Sequence, residues 1–209
     1  MEKKNASIKV RILLMLAGNL LMGVAVAMLR MSQMGTDPFT CMNLGVSQAL
    51  HMQFGTYQLI VNCIIFVFVL WKGRHHIHLG TIVNMAGIGY IADFGVMIFT
   101  NTLGEPDTLT MAVRIGIMAT AVVLCSFAAA VYMQADLGIA PYDAMGYMIE
   151  AGTRGKIPFK AARVATDLIC VGIGFSFGSI VGVATVITAF FMGPLIQWFR
   201  TKWLSPLFS

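Results

Sequence analysis

Six stretches of this chain are apolar almost without relief, at about 9–31, 55–71, 79–100, 110–133, 159–177 and 181–199. Most approach the roughly 20 residues an α-helix needs to cross a ~30 Å hydrocarbon layer. The pattern changes after the first run and again after the fourth. Residues 38–52 mix Thr40, Asn43, Ser47, Gln48 and His51 into the apolar background, and are too short and too polar for an ordinary span. Residues 141–153 are their counterpart. The pattern predicts an all-α polytopic membrane protein with six spans and two short helices, re-entrant or interfacial.

Each short helix is announced by the same break. Gly35-Thr36-Asp37-Pro38-Phe39 and Gly138-Ile139-Ala140-Pro141-Tyr142 both read glycine, two residues, proline, aromatic, and lie 103 positions apart. Proline is tolerated in the first turn of a helix, where its missing N–H has no partner to lose, and Asp37 is placed to cap the first of the two. The correspondence extends along the chain. Arg11 pairs with Arg114, Gln58 and Asn62 with Arg163 and Asp167, Gly80-Thr81-Ile82-Val83 with Ala184-Thr185-Val186-Ile187, and Gly89 with Gly193. Self-similarity in one order of features is the mark of an internal repeat. We divide the chain at the link 101–108 into a first repeat, 1–104, and a second, 105–209.

Charge sets the orientation. With three spans in each half and the N-terminus in the cytoplasm, the basic turn 72–78, then Arg154, Lys156 and Lys160, then Arg200 and Lys202 all fall inside. The acidic link with Glu105 and Asp107 falls outside. This satisfies the positive-inside bias, and both termini are expected to be cytoplasmic. An odd number of spans per half also inverts the second repeat relative to the first, as in many transporters. The opening run is longer than the apolar core of a cleaved signal peptide and has a counterpart in the second half, so it is read as a membrane helix.

Composition agrees and adds little more. The chain is 58% hydrophobic and 11% charged, against about 25% charged in a soluble domain. The net charge of +5 is accounted for by helix ends, not by nucleic-acid binding. Cys41, Cys63, Cys125 and Cys170 have no metal-ligand spacing and read as small apolar residues. His75, His76 and His78 read as a solvated basic turn in preference to a metal site, and the sixteen methionines as core filling.

The remaining candidates are polar residues at membrane depth, where a charge costs about 2.5–3.5 kcal/mol and calls for a reason. Irregular backbone survives there only when buried in protein or lining a wet cavity. That singles out Gly35, Asp37, Pro38 and Thr40 at the first break, and Gly138, Pro141, Tyr142 and Asp143 at the second. Arg163 and Asp167, one helical turn apart, pair on one face, either to hold the fifth span or to line a path. Gln58 and Asn62 are placed to hydrogen-bond in the same way. Asp143 reads first as a cap of its own helix, with cation selection as the alternative. Asp93 has no partner in its own span, and is an ion site or an end residue. Arg30 is expected to reach the headgroups. Asn19 and Asn84 are expected to join helices. Gly174, Gly178 and Gly182 read as a tight hairpin before a dimer face, and a homodimer stays open.

The paired Gly-x-x-Pro-aromatic breaks and the Gly-Thr-Ile-Val-Asn stretch resemble the bacterial YczE/YitT-like family of small integral membrane proteins, from about residue 11 to 200. In that family each break tends to carry an aspartate after the proline. Asp143 keeps it, Thr40 replaces it, and Arg163 with Asp167 matches the family's arginine–acid pair. The resemblance implies a membrane fold and no cofactor. Together these features point to a transporter or channel-like protein for a small solute or ion in a bacterial plasma membrane, with no enzymatic set. The alternatives are a membrane scaffold or regulator using the basic loops 72–78 and 154–163, and the substrate-binding subunit of an energised vitamin transporter.

Overall fold

The computed structural model describes residues 7–72 and 78–204. Of the basic turn 72–78, residues 73–77 lie outside the described residues. The rest forms eight α-helices: α1 Ile8–Ser32, α2 Pro38–Ala49, α3 Phe54–Lys72, α4 Leu79–Leu103, α5 Met111–Ala135, α6 Pro141–Gly152, α7 Phe159–Ser176 and α8 Val183–Phe199, with a π-helical turn over Arg200–Leu204. No strand occurs among the described residues. Among the described residues four helices are long and apolar enough to cross a membrane, α1, α4, α5, and α8 with its π turn, or five if the bent pair α2–α3 is one span. The sequence pattern expects six spans. The difference lies in α3, which follows α2 across a bend of 116°, and in α7, whose 18 residues include Lys160, Arg163 and Asp167.

The centre of the bundle is the antiparallel pair α1–α5. Small residues let the two approach closely, and a Cβ on Gly18 would stand 2.8 Å from the Tyr132 backbone. The ends are tied reciprocally. Arg11 Nε donates to the Ala135 carbonyl at the end of α5 at 2.8 Å, and its Nη2 also reaches Asp136. Arg114 Nε donates to the Ser32 carbonyl at the end of α1 at 2.8 Å, and its Nη2 to Gln33 at 3.0 Å. The last carbonyls of a helix have no partner within it, so each arginine closes the other helix. Hydrogen bonds to charged groups are worth about 1.5–3 kcal/mol. Arg114→Met is therefore expected to lower the unfolding midpoint in detergent by a loss of that order. Arg114→Lys should not restore it, because an ammonium cannot span two carbonyls as the guanidinium fork does. An unchanged midpoint for Arg114→Met would remove this role.

The two breaks share a backbone. Gln33 and Asp136 have φ of 54° and 50°, Gly35 and Gly138 have 95° and 104°, and His51 and Arg154, which follow the short helices, have 53° and 54°. Packing around them is unequal. In the first half α3 runs along α4, whereas in the second α7 packs on α2 and α6 but not along α8.

The exposed lysines collect at one end: Lys9, Lys156, Lys160 and Lys202 lie with Arg11 and Arg154 where α1 starts and α5 finishes, an end that also holds Asp136 and Glu150. Glu105 and Asp107 sit at the other with Arg30 and Arg114, whose side chains are engaged by Asp93 and by the carbonyls that end α1. The asparagines act as the sequence suggests: Asn84 Nδ2 donates to Asn19 Oδ1 at 2.9 Å, joining α4 to α1. Cys41, Cys125 and Cys170 are buried, while Cys63 is exposed on α3.

Candidate functional site

Each break docks on the last helix of the opposite half. The Met34 carbonyl accepts from the Ala184 N–H at 2.9 Å, and the Leu137 carbonyl from the Gly80 N–H at 2.8 Å. A Cβ on Gly35 would stand 2.4 Å from Thr185 Oγ1 and 2.7 Å from the Gly182 nitrogen. On Gly138 it would stand 2.5 Å from Thr81 Oγ1 and 3.0 Å from the His78 nitrogen. Both glycines are thus required twice, by a φ that favours glycine and by a close approach. Thr81 and Thr185, matched in the repeat but not expected at the site, prove to be the residues the breaks rest on.

Helix α7 measures where the short helices lie. Its 18 residues extend about 27 Å at 1.5 Å per residue. Helix α2 begins level with its middle, where Phe39 packs with Cys170. It then follows α7 toward the C-terminal end, where a Cβ on Gly45 would meet the Gly174 carbonyl at 2.6 Å and Phe177 at 3.2 Å. Helix α6 also begins near the middle, at Asp167, and runs the other way. Tyr147 stacks on Phe159 with centroids 4.3 Å apart, and Glu150 accepts from the Phe159 N–H at 3.2 Å. The starts of the two helices meet. The Phe39 and Tyr142 rings stack with centroids 4.5 Å apart and planes 20° from parallel. Pro38 and Pro141 are both buried. Two helix N-termini, each a partial positive charge, therefore face one region from opposite directions.

The charges there are unequal. On the first side Asp37 caps α2 as expected, accepting the Thr40 N–H at 3.0 Å, and Thr40 itself is buried. On the second side four residues converge. Arg163 donates to Asp143, its Nε lies 3.4 Å from Asp167 Oδ2, and its guanidinium sits over the Tyr142 ring at 4.5 Å. The Tyr142 hydroxyl donates to Asp167 Oδ1 at 2.5 Å. The expected Arg163–Asp167 pair is present and extends further than expected. Asp143 does not cap its own helix, as the sequence suggested. No side chain caps α6, because Arg163 on the adjoining helix draws the carboxylate away. The Asp143 side chain is 44% exposed and that of Asp167 13%.

Gln58 and Asn62 do not repeat this arrangement. Both are buried, but Gln58 turns toward Gly89 and its Oε1 has no partner among the described residues. Asp93 and Arg30 depart from expectation together. Arg30 Nη1 donates to Asp93 Oδ1 at 2.7 Å, and the guanidinium lies 4.7 Å over the Phe54 ring, so Arg30 does not reach for headgroups and Asp93 is paired. The two are 63 positions apart, which no local spacing rule reveals. They border a cleft of about 560 Å³ that also takes in Gly35, Thr36, Ser47, Gln53 and Ser179. Asn84 lies apart, in the α1–α4 contact.

A family model described as "Family of unknown function (DUF6198)" matches residues 9–201. The chain belongs to that family. The DUF6198 match spans both breaks and every site candidate named above. The chain is similar to an uncharacterized protein of Haemophilus influenzae, 25% identical over 180 residues, covering 86% of this chain and 78% of the other. It is similar to the uncharacterized membrane protein YczE of Bacillus subtilis, 24% identical over 164 residues, covering 78% and 73%. It is also similar to the uncharacterized protein YyaS of Bacillus subtilis, 23% identical over 184 residues, covering 87% and 88%. The YczE resemblance read in the motifs holds at the level of the DUF6198 family. No solved structure matches the chain.

Proposed function

We propose that this chain is a small membrane transporter or channel-like protein for a small solute or ion, built from two inverted repeats, 1–104 and 105–209. The observation that carries the reading is the meeting of two helix N-termini halfway along α7, each reached through an irregular break, buried at Gly35 and Thr36 in the first and partly buried over 137–140 in the second. Such backbone is expensive in lipid unless it is enclosed or lines water. Half-helices whose positive ends converge near the midplane are a recurrent way to build a solute site. Reciprocal capping by Arg11 and Arg114 and the exchanged docking of the breaks support the inversion. The basic helix ends support a cytoplasmic position for both termini in a bacterial plasma membrane, with the acidic link outside.

Two measurements test this. In intact cells, a cysteine at Asp107 is expected to react with an impermeant thiol reagent, and one at Lys156 only after permeabilisation. In vesicles, the purified chain is expected to give saturable uptake of at least one solute from a panel of metabolites and inorganic ions. In a background without native cysteines, crosslinking Phe39→Cys to Tyr142→Cys should stop that uptake and reduction should restore it. A folded protein with no flux across the whole panel, or flux indifferent to the crosslink, defeats the reading.

A further inference from the structure

The cleft beside the first break opens at the end of the bundle that carries the acidic link. Its floor is an ion pair whose two partners are unequally used. Both oxygens of Asp93 are taken, Oδ1 by Arg30 at 2.7 Å and Oδ2 by the Gly55 N–H at 2.7 Å. Arg30 has used only Nη1 in hydrogen bonding, and one face of its guanidinium is covered by Phe54. An arginine carries five N–H donors and no acceptor. The donors on Nε and Nη2 have no partner among the described residues, and the side chain is 19% exposed. The floor therefore offers free donors beside a carboxylate that already has a donor on each oxygen. A planar carboxylate matches the guanidinium fork and gains a charge-assisted bond.

The rim has the opposite character. Pro106 lines the cleft, and its neighbours Glu105 and Asp107 are both exposed. Two negative charges on the residues flanking Pro106, beside an arginine already paired with Asp93, disfavour a dianion or a phosphate at this cleft and favour an ammonium. The volume of about 560 Å³ lies within the ~300–1,000 Å³ usual for small-molecule sites. Gln33, Ser47 and Gln48 supply polar contacts on the walls.

We propose that this cleft is an entry site for a small zwitterionic solute, with its carboxylate on Arg30 and its ammonium toward Glu105 and Asp107. The inference rests on the transport reading and names its substrate class. The test uses the full chain in detergent and in vesicles, with the common L-α-amino acids and glycine betaine as probes at millimolar concentration. At least one is expected to raise the unfolding midpoint and to bind by calorimetry. The methyl ester of that amino acid, which lacks the carboxylate, and its N-acetyl form, which lacks the ammonium, should each bind at least about tenfold more weakly, as expected for losing a desolvated charge partner. Arg30→Gln combined with Asp93→Asn keeps a neutral hydrogen-bonded pair and should lose binding by about the same factor while remaining folded. Glu105→Gln with Asp107→Asn should weaken the zwitterion and leave the N-acetyl form unchanged.

If no zwitterion binds, if the ester or the N-acetyl form binds as well as the parent, or if the double variant at Arg30 and Asp93 binds normally, the assignment is wrong. Binding without uptake keeps the site and removes the transport reading. Uptake unaffected by the double variant keeps transport and removes the site.

Discussion

Gly35→Ala and Gly138→Ala are each expected to abolish recovery of folded protein, although each adds a single methyl group. Both residues hold φ near +100°, and forcing an L-residue into left-handed backbone costs about 1–2 kcal/mol. The added Cβ would also fall 2.4 Å from Thr185 Oγ1 in one case and 2.5 Å from Thr81 Oγ1 in the other, with the Gly182 and His78 nitrogens at 2.7 and 3.0 Å just behind. The threonine side chain can turn aside, but the backbone nitrogens cannot. Overpacking a tight site adds about 1–3 kcal/mol. The sum is a large share of a total stability of about 5–15 kcal/mol. Gly116→Ala and Gly172→Ala provide the control. Both lie within helices where a Cβ meets nothing within 4 Å, and Ala is favoured over Gly there by up to ~1 kcal/mol. Size-exclusion profiles and unfolding midpoints of the four variants decide the matter. A monodisperse Gly35→Ala with the parental midpoint would show that the break does not depend on its docking.

That pair of glycines marks how far the sequence could be read. The 103-residue spacing made the two breaks visible, and with them Arg11 and Arg114, because a repeat repeats its special backbone. Asp37 as a cap and Arg163 with Asp167 were also legible, since both depend on spacings of three or four residues. What could not be read was contact between the halves. The breaks rest on Thr185 and Thr81, the Phe39 ring finds Tyr142, and Arg30 finds Asp93. These are pairings over 57 to 150 positions, settled by how helices cross and not by any period. Asp143 illustrates the same point. Its place in the first turn of α6 made it look like a cap, and only the nearness of α7 shows that Arg163 competes for it and wins. The matched positions of the sequence held part of the missing signal. Thr81 and Thr185 were matched across the halves, and two polar residues in equivalent places at the start of apolar helices called for partners in equivalent places.

The halves agree in backbone and differ in charge, so the same short helix carries different chemistry in each. Helix α2 starts with Asp37 tied to its own first turn and Thr40 buried behind it. Helix α6 starts with Asp143 turned outward to an arginine that also holds Asp167. Matched docking fixes where the helices meet, while the unequal charges leave Asp143 half-exposed and paired to a neighbouring helix, and Asp37 bound to its own.

That asymmetry separates two variants which look alike on paper. Asp167→Asn is expected to destabilise the fold, and Asp143→Asn to stop flux without destabilising it. Asp167 is buried and holds both the Tyr142 hydroxyl and Arg163 Nε. Breaking a buried ion pair by removing one partner costs about 3–5 kcal/mol. Because Arg163 keeps Asp143 as a second carboxylate, the loss for Asp167→Asn should fall somewhat below that range. Arg163→Met, which strands two carboxylates beside each other, should fall within it. Asp143 is 44% exposed with one partner, and exposed pairs contribute about 0–1 kcal/mol, so Asp143→Asn should leave the unfolding midpoint nearly unchanged. If the region between the two short helices is the path of a solute, removing the more exposed carboxylate of its Arg163 cluster will nevertheless reduce uptake in vesicles severalfold or more. A cluster serving only to hold α6 against α7 gives the opposite record, with flux tracking stability across all three variants and Asp143→Asn behaving as the parent. Measuring midpoint and uptake on the same preparations distinguishes the two.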